Sequence, residues 1–130
     1  MNEKKYFNTT TQGLAFLNEV SDKINGDSTS QLVKLAAIMG PEDKVTYETM
    51  RLWVRGEDAQ AAVNKLKGYL SKDNKITVTF VAGDCKARGF ITDSGTNPGT
   101  LMTYQEGALI YIKSARVNGE EVYRAPEKNQ

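Results

Sequence analysis

The chain has 130 residues, 39% of them apolar and 25% charged, the size and composition of one globular domain. No apolar run approaches the roughly 20 residues of a membrane span, and the start MNEKKYFNTTTQG lacks the apolar stretch of a signal peptide, so a cytoplasmic protein is expected. Histidine is absent and cysteine occurs once, which excludes Ser-His-Asp and Cys-His catalysis, the usual zinc sites and an internal disulfide. The net charge of +1 is unevenly spread: −2 over residues 1–43, +4 over 44–92 and −1 over 93–130.

The first apolar run is GLAFLNEV, Gly13 to Val20. Leu14, Phe16 and Val20 share one parity and Ala15 and Leu17 the other, as expected of a strand partly buried on both faces. NGDSTS (25–30) reads as a turn-rich loop. QLVKLAAIMG reads as a second strand ended by Gly40-Pro41, with Lys34 pointing outward.

VTYETMRLWVRG, Val45 to Gly56, reads as the third strand. Met50, Leu52 and Val54 form an ordinary core face. The opposite face carries Tyr47, Thr49, Arg51, Trp53 and Arg55, and Trp53 is the chain's single tryptophan. EDAQAAVNKLKGYLSKD follows, with Ala59, Ala62, Val63, Leu66 and Leu70 on one helical stripe. Glu57 and Asp58 suit the N-terminus of that helix, and Lys65, Lys67 and Lys72 its C-terminal half.

KITVTFVAGDCKARGFIT returns to strand period, with Ile76, Val78 and Phe80 on one face and Thr77, Thr79 and Val81 on the other. Gly83 and Gly89 mark bulges or sharp curvature. TDSGTNPGTLMTYQEG reads as a long polar connection, and ALIYIKSARV as the fifth strand. Asn118-Gly119 reads as a tight turn into a short arm, itself a candidate subunit contact. The ordered core is expected over about 6–123, with flexible ends at 1–5 and 124–130.

Three strands, one helix and two strands, with glycine kinks, predict a mainly β fold: a five-stranded OB-fold Greek-key barrel, its helix between strands 3 and 4. In that fold strands 2 and 3 and the connection between strands 4 and 5 offer a binding surface. A ladder of aromatics and guanidiniums there suits single-stranded nucleic acid. Rings stack on any base, and arginine pairs with phosphate or stacks on a base plane. The candidate binding residues are Lys34, Tyr47, Arg51, Trp53, Arg55, Lys86, Arg88 and Tyr104. The competing reading packs Trp53 and Tyr47 against the helix or another subunit. Phe90 could widen the basic track beside Lys86 and Arg88, but following Gly89 it is assigned first to the core; Phe16, Phe80 and Tyr111 are assigned to the core or a subunit contact.

An enzyme is disfavoured. The acidic pairs Glu42-Asp43, Glu57-Asp58 and Glu120-Glu121 fall at turns or the helix start, no phosphate-binding GxxxxGK occurs, and no metal or other cofactor is implied. The third possibility is a protein-interaction or assembly module of a replication complex.

The stretch YETMRLWVRGEDAQAAVNKLKGYLSKDNKITVTFVAG resembles the middle of bacterial single-stranded DNA-binding proteins. From about Tyr6 to Tyr123 the chain is similar to a family of replication proteins of integrative and conjugative elements, catalogued as a domain of unknown function. GLAFLNEV, VRGEDAQ and ALIYIKSARVNGEEVY carry that match. The resemblance implies a homo-oligomeric OB-fold protein, dimer or tetramer, that coats or delivers single-stranded DNA in replication or transfer of a mobile element. The relatives' long tail with an acidic tip has no counterpart in RAPEKNQ, so recruitment of replication proteins by that route is not implied.

Overall fold

The structure, a computed structural model, describes residues 9–93, 95 and 97–126. The termini expected to be flexible lie largely outside that range. The elements run β1 (Thr10–Asn25), β2 (Ser28–Met39), β3 (Thr46–Val54), α1 (Glu57–Lys67), β4 (Ile76–Ile91), β5 (Leu101–Val117) and β6 (Glu120–Arg124). The sheet order is β3-β2-β1-β4-β5-β6, and a parallel pairing of β3 with β5 closes the first five strands into a barrel. With its helix between β3 and β4, this is the five-stranded OB-fold barrel the strand pattern predicts.

Alternation decides what fills the barrel. Val33 and Leu35, Met50 and Leu52, and Ile76, Val78 and Phe80 point inward and are buried. Ala59, Ala62, Val63 and Leu66 on α1 complete the same core from one end. The helix stops at Lys67, short of the periodic sequence, and Gly68 caps its last turn. Leu70 falls beyond it, packed against the core. The other end of the barrel opens into a cavity of about 460 Å³ that takes residues from all five strands, among them Leu14, Met39, Met50, Phe80 and Gln105.

The strands are longer than their apolar runs. β1 and β2 continue to a two-residue turn, Gly26-Asp27, where Gly26 takes φ +64°, so most of the expected 25–30 loop is ladder. Likewise β4 and β5 pair out to Ile91 and Leu101, and the expected polar connection shrinks to residues 92–100. There the Thr92 hydroxyl donates to the Asn97 carbonyl at 3.0 Å and accepts from the Thr100 N–H at 3.0 Å. Asn118 and Gly119 both have positive φ and turn the chain into β6, as the type I′ signal predicts. The ladder persists at the C-terminal side: Arg124 pairs with Ser114, and the Ala125 N–H donates to the Lys113 carbonyl at 2.9 Å.

Placement in the core needs correction at Phe90 and Phe16. Phe90 is not in the core; it lies on the protruding β4–β5 ribbon at 45% exposure. Phe16 is half-buried on the outer face, because Ala15 and Leu17 take the inward positions of β1. The two parities of β1 are buried unequally, as a strand partly buried on both faces: Ala15 and Leu17 are buried, Phe16 and Val20 half-buried, and Leu14 half exposed. Of the two glycine kinks, Gly83 opens a bulge running to Lys86, whereas Gly89 pairs in register with Thr103.

Candidate nucleic-acid interface

The outer face of the barrel is organised by the pairing register. Directly opposed residues on neighbouring strands point to the same side. One row crosses five strands: Glu19 of β1, Lys34 of β2, Arg51 of β3, Glu106 of β5 and Lys86 of β4. Bulges set it. A register shift between Leu17 and Glu19 brings Glu19 opposite Lys34. The shift between Gly83 and Lys86 brings Lys86 opposite Glu106. In the second bulge Asp84, at φ +52°, and Cys85 stand against the single residue Gly107.

Aromatic side chains flank this charged row. On one side the Arg51 guanidinium lies over the Tyr104 ring, 4.4 Å from its centroid. Tyr104 is opposite Arg88 and 6.3 Å from the Phe90 ring. Farther along the same face Tyr47, 58% exposed, is 6.0 Å from Phe16. On the other side Trp53 is half-buried, with Leu32 and Ala108 as its cross-strand neighbours. The helix packs its buried stripe inward and leaves this side of β3 uncovered at Tyr47 and Arg51.

Seven of the eight expected residues therefore sit on this face, with Lys34, Arg51, Lys86, Arg88 and Tyr104 as immediate neighbours. Arg55 is the outlier. It follows the end of β3, where its N–H donates to the Leu109 carbonyl at 3.0 Å, and it lines a separate cleft of about 600 Å³ with Glu57, Asp58, Ile110 and Lys113.

Sequence reasoning missed Glu106, which accepts from the Arg88 Nε at 3.0 Å inside the basic track. Its parity with Tyr104 was a usable signal. Phe90 shares parity with Arg88 in the same way. Phe16 offered none, because both parities of its strand are apolar. Cys85 is half-buried, and burial raises its thiol pKa, with the Asp84 charge adding to that, so the protonated thiol is favoured.

Among the described residues no cluster of three His, Cys, Asp or Glu side chains could hold a metal ion, and no helix is long and apolar enough to cross a membrane. No curated protein matches the chain. Two solved structures are similar to it. One is a small single-stranded DNA-binding protein from Streptomyces coelicolor, 14% identical over 80% of this chain and 91% of that one, with a TM-score of 0.45. The other is a mitochondrial single-stranded DNA binding protein from S. cerevisiae, 15% identical over 90% and 99%, with a TM-score of 0.41. Residues 1–130 match the family described as "Protein of unknown function (DUF3577)", and the chain belongs to that family.

Proposed function

We propose that this protein binds single-stranded DNA, without sequence preference, along the outer face of β2, β3, β4 and β5. The observation that carries the reading is the row of Lys34, Arg51 and Lys86 set between exposed or half-buried rings, with Arg51 held on Tyr104. Unpaired bases offer flat faces to Tyr47, Trp53, Phe90 and Tyr104, while the lysines and arginines take phosphate. A duplex hides those faces. The further reading, a role in replication or transfer of a mobile element, rests on the resemblance of GLAFLNEV, VRGEDAQ and ALIYIKSARVNGEEVY, and includes a homo-oligomer in the cytoplasm.

The test is a titration with oligo-dT and with duplex DNA at two salt concentrations, followed by Trp53 fluorescence. Oligo-dT is expected to quench the tryptophan, to bind more tightly than duplex, and to lose affinity as salt rises. Binding of neither form would sink the proposal. The acids in the row favour a second reading, a protein-docking face, since Glu19 and Glu106 offset much of its positive charge. A partner bound with no salt dependence and no DNA binding would select it.

Glu106 makes a sharper prediction. It competes with phosphate for Arg88, and that ion pair is partly exposed, with 51% and 31% of the two side chains accessible. Glu106→Gln is expected to tighten oligo-dT binding roughly two- to fivefold, the scale of a surface ion pair worth up to about 1 kcal/mol. Weaker binding in equilibrium titration would show instead that Glu106 serves to aim Arg88.

A further inference from the structure

The aromatic face does not stop at Tyr47. Phe16, at 6.0 Å from Tyr47, forms one wall of a cleft of about 340 Å³ between β1 and the segment joining α1 to β4. The opposite wall carries Lys72, Asp73, Asn74 and Lys75. The Lys75 ammonium lies 4.8 Å from the centroid of the Phe16 ring. Asn18, also lining the cleft, is the residue the β1 bulge leaves without a Cα partner on β2, and it is exposed.

The lysine-bearing segment is held in place by backbone contacts. The Lys75 N–H donates to Asn118 Oδ1 at 2.9 Å, and the Asn118 N–H donates back to the Lys75 carbonyl at 2.9 Å. The Asn118 amide also donates to Asn74 Oδ1 at 2.9 Å, and the Asn74 amide to the Tyr69 carbonyl at 2.9 Å. Asn74 is thus occupied with the fold. Phe16, Asn18, Lys72 and Lys75 remain as the cleft's presenting groups, opposed by the single carboxylate of Asp73. The β5–β6 turn, built by Asn118 and Gly119, has a use in this arrangement: it fixes the wall of the cleft.

We infer that this cleft is a nucleotide subsite, one step beyond the barrel face, for the same strand of DNA. It rests on the single-stranded DNA reading above and lengthens its path. A base stacks on Phe16 in continuation of Tyr47. Its phosphate draws Lys75 off the ring and is shared with Lys72. The Asn18 amide, with one acceptor and two donors, faces the base edge.

Length dependence separates this subsite from the rest of the face. Oligo-dT of about 4 to about 16 nucleotides would be titrated against the wild-type chain, Lys72→Ala/Lys75→Ala and Phe16→Leu. Short oligonucleotides are expected to bind all three alike. With length, the wild type is expected to gain affinity roughly five- to a hundredfold, and both variants to lose most of that gain. For the longest oligonucleotide, the log–log salt slope of the lysine variant should fall by about 0.7, the share of the one single-strand phosphate the two lysines hold. An unchanged length profile and slope in the lysine variant would remove the subsite and leave the parent proposal standing. No binding by the wild type at any length would overturn both. Phe16→Leu keeps an apolar side chain at a half-buried position, so a loss there with the melting temperature unchanged reports stacking rather than folding.

Discussion

Tyr104→Ala is expected to weaken oligo-dT binding roughly five- to a hundredfold, the effect of removing one stacking ring. Tyr104 has the most connected position on the face. It supports the Arg51 guanidinium at 4.4 Å, stands opposite Arg88 and lies 6.3 Å from Phe90. Alanine there removes a base platform and also frees Arg51 to sample solvent. Arg51→Ala is expected to cost a similar factor, about 1.5–3 kcal/mol for a charged contact with phosphate. The two losses should not add. Where the ring orients the guanidinium, a double-mutant cycle should return a coupling of about 0.5–2 kcal/mol, the range of a cation–π contact. Both residues lie on the outer face, so thermal stability should change little. Fluorescence or anisotropy titration of the two single variants and the double variant checks this. Wild-type affinity in all three would mean that DNA, if bound, travels elsewhere.

Phe80→Ala is expected to destabilise the fold by about 3–5 kcal/mol, a large share of the roughly 5–15 kcal/mol that holds a domain of this size. The Phe80 ring is 1% exposed at the floor of the open mouth of the barrel. Gly13 on β1 lies against it: a Cβ on that glycine would come within 3.8 Å of the ring. Strand pairing on both edges of β4 keeps the barrel wall from collapsing into the space, so the lost phenyl leaves a cavity continuous with the mouth. Urea unfolding should show a lower midpoint with an unchanged slope. Phe80→Leu, which keeps most of the volume, should cost less. A loss below about 1 kcal/mol for the alanine variant would mean that the ring does not pack as the structure has it.

These two residues mark how far local pattern reaches. Phe80 could be placed inside from Ile76, Val78 and Phe80 alone, because a strand alternates every second residue and an inward face must be apolar. The same rule separated Met50 and Leu52 from Arg51 and Trp53. The helical stripe Ala59, Ala62, Val63 and Leu66 was legible because a period of 3.6 places it on one side. Tyr104 was a harder case. It was named as a candidate while lying in what reads as a polar connection, and only the long pairing of β4 with β5 makes it a strand residue opposite Arg88. Apolar and polar residues mix on a ribbon that projects beyond the core, so burial leaves no periodic trace there.

By itself, then, the amino-acid order determined which residues of β2, β3 and the first half of β4 face the core, where the helix starts, the turn at Asn118-Gly119, and a mainly β barrel as the way to bury those faces. Tertiary structure alone decided that Phe16 and Phe90 point outward, that Arg55 leaves the face, and that Glu19, Lys34, Arg51, Glu106 and Lys86 form a single row. The physical reason is range. Alternation is a property of consecutive residues, whereas register is settled between strands far apart in the chain, and each one-residue bulge reverses which side chains meet across it. The parallel pairing of β3 with β5 joins residues 55 positions apart and has no local signature, yet it puts Arg51 on Tyr104.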